Sequence, residues 1–472
     1  MKINRKLMVS ALMAIAMTAV AQTNWVSKVE DMMDRGEFLK AEQFMKSLPK
    51  GVRVSEEVRI DSLNTIMGRI RKDFTMTPEE GLKQIKAKMP NVTQEQIAKW
   101  KRDSKIEYMV IDGKEWWFRK SVRNLWLLAD ELKEDHDAEK WDTYNTRRRY
   151  YLEAMQSPAD ANGLRDWRHI VVRFYLDVNA DAIPAGETLR VWMPFPYQNL
   201  RQRNIKLESS NYPVTYSEGS KHHTVYMEAK TEKGKPTHFE YTFSYDVAER
   251  HIAQDDLLAM LEPYDKNSAE YKEFTGNYPP HIVITDDTRA LAREIVEGET
   301  NPVLQASKIF NWISSRYPWA GAREYSTIKN MPEYVMANGH GDCGQVALMY
   351  ITLVRSLGIP ARWESGWMLH PDEINWHDWA ETYFEGIGWV PTDQSFGRSA
   401  VGTPMNNYYA TGIDVYRMAS NEAIGDKLSP EKKFIRSETV DFQPGEVEWR
   451  KGNLYYDTWK SHLEVKSITK IK

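Results

Sequence analysis

The chain has 472 residues, 42% of them hydrophobic and 28% charged, with a formal net charge of -4. A mildly acidic balance without a Lys/Arg block argues against a nucleic-acid partner. With 17 Trp, 24 Tyr and 14 Phe, the composition excludes a disordered chain. No segment after the first 21 residues approaches the roughly 18 consecutive apolar residues of a membrane span.

Lys2, Arg5 and Lys6 form a basic leader. The apolar run over residues 7–20 is too short to cross a hydrocarbon core, which takes about 20 residues. Ala19-Val20-Ala21 then supplies the small residues of a cleavage site, so residues 1–21 are expected to be a signal peptide and the mature protein periplasmic or secreted. The mature length suggests about three domains.

Residues 22–160 read as a mainly helical domain. Helical spacing runs over residues 25–48 and 56–74, Thr77-Pro78-Glu79-Glu80 is a helix start, and Asp112-Gly113 marks a hairpin. Export and acidity disfavour a winged-helix nucleic-acid reader, so Trp116 and Trp117 are expected in a core. The charged stretch 132–155 reads as a connecting helix whose Arg147-Arg148-Arg149 run is a solvated face. Short strands separated by turns then suggest a β-sandwich over residues 165–250. His222-His223 is not expected to bind a metal, because adjacent strand residues point to opposite faces. Residues 255–284, with Pro263, Pro279 and Pro280, read as a connector.

Cys343 is the only cysteine, so no intrachain disulfide forms. An unpaired thiol outside the cytosol is exposed to oxidation. Apolar residues at 346, 347, 350, 353, 354 and 357 follow a helical period, and Gly358 and Pro360 end it. Cys343 therefore sits at or before the first helical turn, where free N–H groups and the dipole favour a thiolate. A thiolate nucleophile needs an imidazole and a group that orients it. His340 lies on the loop before the helix and His370 in a polar loop. His377 opens a strand whose alternation places His377, Trp379, Glu381 and Tyr383 on one face. After the Glu385-Gly386-Ile387-Gly388 turn the next strand ends in Asp393. Pairing Asp393 opposite Trp379 or His377 keeps acid and imidazole on one face, whereas a one-residue slip separates them.

Four ordered motifs resemble the bacterial transglutaminase-like superfamily. They are Gly341-Asp342-Cys343, Leu357-Gly358-Ile359-Pro360-Ala361-Arg362, His377-Asp378-Trp379-Ala380-Glu381 and Gly388-Trp389-Val390-Pro391-Thr392-Asp393. The resemblance implies a papain-like catalytic domain over residues 285–400 with Cys343, His377 and Asp393 as its triad. The fold expected is α+β, this domain being preceded by the helical and sandwich domains. Residues 401–472 are expected to form a β-rich extension packed on the catalytic domain. Asp378 stands where Ala is more usual, a departure of little consequence at this stage. No calcium-binding loop of the animal cross-linking enzymes is seen, and neither metal nor cofactor is called for.

The expected activity is hydrolysis of an amide or peptide bond through an acyl-thioester, with a protein or peptide as substrate. The rivals are transfer to an amine, which makes a cross-linker, and a non-catalytic binding protein that keeps the fold. An acetyl transferase is a weaker rival, since no acyl-thioester donor pocket is found. The Cys343 backbone N–H offers one oxyanion donor. Tyr317 and Trp319 are candidates for a second donor by resemblance alone.

Overall fold

A computed structural model describes residues 25–403 and 405–471. The expected signal peptide lies outside the described residues. The chain divides into two compact units after Ala129.

In the first unit, helices over 25–34, Phe38–Ser47 and Glu57–Asp73 bury Val29, Phe38, Ala41 and Met67. Helices Pro78–Lys88 and Gln94–Arg102 both start with threonine capping boxes, in which the Thr hydroxyl and the third residue's side chain satisfy each other's backbone N–H groups. The Asp112-Gly113 hairpin forms as expected, both residues having positive φ, and joins Tyr108–Ile111 to Lys114–Phe118.

The second unit contains a sandwich and a helix-backed sheet. One layer of the sandwich pairs Leu164–Val178 with Thr237–His251 on one side and Trp459–Lys470 on the other. The second layer pairs Thr188–Pro194 with Thr224–Lys230 and Glu446–Trp449. Alternate residues Ile170, Val172, Phe174 and Leu176 face inward and meet Val191, Val225 and Met227. The strands Glu446–Trp449 and Trp459–Lys470 therefore enter the sandwich, where all of residues 401–472 were expected to form an extension packed on the catalytic domain; part of the stretch up to Val440 does pack there. Local patterning marks a strand but does not choose its partner, and these partners lie far away in sequence.

The helix-backed sheet runs Gly388–Thr392, Glu373–Phe384, Ala361–His370, Arg417–Asn421, all antiparallel. Gly366 lets the last strand close in, since a Cβ there would lie 1.9 Å from the Met418 carbonyl oxygen. Helix Cys343–Ser356 packs on this sheet, with every residue from Gly344 to Arg355 buried. Helices Asp286–Val296, Pro302–Arg316 and Met331–Asn338 surround it, as Ala292, Ile309, Phe310 and Val335 join its core.

Helix Lys133–Ala154 belongs to this second unit. The Arg147-Arg148-Arg149 run is not simply a solvated face. The Arg147 guanidinium lies 3.4 Å from the Phe396 ring centre and donates to Ser399, and Arg149 pairs with Asp372. A planar, weakly hydrated cation stacks well on an aromatic face. Among the described residues no helix is long and apolar enough to cross a membrane.

Candidate active site

Cys343 opens its helix, and Asp342 caps it. The Asp342 carboxylate accepts from the Gln345 N–H at 3.0 Å, while the Gln345 side-chain oxygen accepts from the Asp342 N–H at 3.2 Å. The Tyr325 hydroxyl donates to the same carboxylate. The sulfur is thus placed by a helix start held from two sides.

The thiol's partner is Asp378. The Cys343 S–H donates to Asp378 Oδ2 at 3.4 Å, and the Asp378 backbone N–H also bonds the sulfur. This puts the sulfur beside the peptide that joins His377 to Asp378. Asp378 Oδ1 accepts from Gln443 Nε2 at 2.6 Å, and the same amide donates to the His377 carbonyl at 2.9 Å. Asp441 donates to Asp378, and Glu438 in turn to Asp441.

Burial pushes the Cys343 thiol well above its usual range, and the Asp378 and Asp342 charges add to this. The thiolate expected from the helix dipole is therefore not the resting form. A dipole contributes at most about 2 kcal/mol, whereas desolvation and two nearby carboxylates act together against the anion. Burial likewise raises Asp378, to about 7, with Asp342 and Glu438 reinforcing it.

His377 leaves the strand on the other face. Thr392 pairs with Ala380, so Asp393 follows at the level of Trp379, on the His377 face. His377 Nε2 and Asp393 Oδ2 stand 2.8 Å apart, with side chains only 5% and 1% exposed. Asp393 also caps helix Gln394–Ala400, accepting from the Phe396 N–H and the Ser395 hydroxyl, each at 3.0 Å. Arg417 donates to Asp393 Oδ2 at 3.0 Å and reaches Asp414, which pairs with His370. Burial would raise Asp393, but His377 and Arg417 overcome it and hold the acid at about 2. Burial depresses His377, helped by the Arg417 and Arg147 cations and opposed by Asp393.

A neutral His377 that donates from Nε2 keeps Nδ1 as its acceptor. Nδ1 makes no hydrogen bond among the described residues, and no hydrogen bond joins Cys343 to His377. The structure thus brings His377 and Asp393 together and sets Cys343 on Asp378.

Tyr317 packs on Trp312. Trp319 is 40% exposed, and its backbone bridges to Gly341, two residues before the cysteine. Neither hydrogen-bonds Cys343. His222 donates to the Ala423 carbonyl and accepts from Arg436, whereas His223 meets Glu422 and stacks on Tyr197, so the two imidazoles diverge. His340 bonds the Asn338 carbonyl.

Sequence reasoning passed over Asp378, Gln443, Arg417 and Tyr325. Only Asp378 carried a signal, as an acid within the histidine motif. The others reach the site from distant segments.

Residues 289–394 match the model of the transglutaminase-like superfamily. This stretch, which includes Cys343, His377 and Asp393, is a transglutaminase-like domain set within a longer chain. A protein from Cytophaga hutchinsonii described as a candidate cysteine protease aligns at 15% identity with a TM-score of 0.40, over 64% of this chain and 98% of its own. The periplasmic domain of TgpA from Pseudomonas aeruginosa aligns at 14% identity with a TM-score of 0.26, over 54% of this chain and 96% of its own. No curated protein matches the chain.

Proposed function

We propose that this is an exported cysteine hydrolase that cleaves an amide or peptide bond, with Cys343 as nucleophile, His377 as base and acid, and Asp393 as the residue that orients the imidazole. The observation that carries the reading is the buried His377–Asp393 pair, whose histidine directly precedes in sequence the residue whose backbone N–H bonds the Cys343 sulfur. In this reading Nδ1 takes the thiol proton while sulfur attacks the carbonyl carbon, and the oxyanion rests on the Cys343 N–H. The imidazolium returns the proton to the leaving nitrogen, the C–N bond breaks, and an acyl-thioester remains. Water, deprotonated by His377, then releases the acid and restores the thiol. Trp319, beside Gly341, is better placed than Tyr317 to supply the second oxyanion donor.

The test compares the wild-type protein with Cys343→Ala on an unfolded protein and on glutamine-containing peptides. New amino termini or free ammonia are expected, falling by about 10⁴-fold or more in the variant. Incorporation of a labelled primary amine in place of water would reassign the enzyme to acyl transfer. Identical products from both proteins would remove Cys343 as the nucleophile.

A further inference from the structure

The carboxylate on the sulfur has no part in the triad scheme. Its position is nonetheless built. Gly344 leaves the slot it fills, since a Cβ there would lie 2.7 Å from Asp378 Oδ2 and 2.5 Å from the Tyr325 hydroxyl. Gln443 grips the opposite oxygen at 2.6 Å, and Asp441 donates to the group as well. An acid held by two donors and aimed at the only cysteine is more than packing.

We propose that Asp378 is a catalytic residue that sets the reactivity of Cys343: as a carboxylate it accepts the S–H and holds the sulfur neutral, and as a carboxylic acid it donates a hydrogen bond to the thiolate. This rests on the reading of Cys343 as the nucleophile. In the first state the thiol proton stays between sulfur and Asp378, and transfer to His377 would leave two anions in contact. In the second the proton moves from sulfur to His377 Nδ1, and the resulting thiolate keeps the carboxyl O–H of Asp378 as its hydrogen-bond donor. No bond other than S–H and N–H changes.

Burial and the acidic charges around Asp378 favour the second state, against the hydrogen bonds that Gln443 and Asp441 donate to it. Asp342 faces it from the helix start and Tyr325 from a separate turn, Asp441 and Glu438 from the loop that carries Gln443, and Glu324 stands behind Glu438. Arg436 is the cation among them and acts on Glu438 and Asp441. Burial, reinforced by the Asp342 and Glu438 charges, outweighs the hydrogen bonds from Asp441 and Cys343 and raises Asp378 to about 7, so it gains its proton near neutrality. The mildly acidic side of that point is therefore where the sulfur becomes reactive.

The experiment is the rate of iodoacetamide alkylation of Cys343 in the full-length protein between pH 5.5 and 9, for wild type, Asp378→Asn and Asp378→Ala. Asn keeps the shape and the donor without the charge, and Ala removes both, so one variant serves if the other misfolds. At pH 8 both variants are expected to react about tenfold faster than wild type, the equivalent of one unit of thiol acidity. The gap should close by pH 5.5. Equal rates at pH 8, or slower variants, would overturn the proposal. Because alkylation reads the thiol directly, its outcome is independent of the amide-cleavage assay. Amide cleavage that survives Cys343→Ala removes Cys343 as the nucleophile, whereas an unchanged alkylation profile removes the role of Asp378.

Discussion

Asp378 and Asp393 flank one strand, and both are buried, yet they titrate in opposite directions. Asp378 rises to about 7 and Asp393 falls to about 2. Burial pushes both upward, so burial cannot be what separates them. The difference lies in their neighbours. Asp393 faces His377 and Arg417 and accepts from the Phe396 N–H, whereas Asp378 faces the charges of Asp342 and Glu438, with only the hydrogen bonds from Asp441 and the thiol to offset them. A single strand thus separates a cation-rich compartment, which fixes an imidazole, from an acid-rich one, which governs a sulfur.

The contrast breaks most severely on the cationic side. Asp393→Ala leaves Arg417 and His377 buried with one fewer acid and is expected to lower stability by about 3–5 kcal/mol in urea unfolding. Asp393→Asn should cost less, and its deficit should shrink as the pH falls from about 4 to 2. The depressed acid contributes stability above its unfolded pKa and loses it through its folded one. Asp378 has the opposite sign. Its raised pKa contributes stability below about 4 that is lost as the pH climbs toward 7, so Asp378→Asn should gain on the order of 2 kcal/mol at pH 8 and almost nothing at pH 4. Urea titrations of Asp378→Asn at pH 4 and pH 8, and of Asp393→Asn at pH 4 and pH 2, check both signs. The smallest effect is expected from Gly344→Ala, at about 1 kcal/mol by thermal unfolding, because the new methyl displaces the Asp378 carboxylate or the Tyr325 hydroxyl.

The cationic compartment was largely legible in the sequence. Strand alternation and a short turn bring His377 and Asp393 onto one face provided the register pairs Asp393 with Trp379 or His377, and a helical period ending at Gly358 places Cys343 at or just before a helix start. The acid-rich compartment was not. Alternation assigns Asp378 to the opposite face but is silent about what lies across from it, and the answer arrives with Tyr325, Asp441 and Gln443 from separate segments. Arg417 was equally hidden, since it reaches Asp393 only because Gly366 admits the Met418 backbone. Strand pairing misled at the far end for the same reason. The β-rich reading of residues 401–472 says nothing of Leu164–Val178 as the mate of Trp459–Lys470.

That last pairing has a consequence for biosynthesis. As the polypeptide leaves the ribosome, Leu164–Val178 is made early and must wait for an edge partner at the far end of the chain, with the entire transglutaminase-like stretch emerging in between. Contacts so distant in sequence form slowly, and a half-built sheet with an open edge invites pairing with other molecules. Until Trp459–Lys470 is in place that edge stays open, and removing this strand would leave it bare.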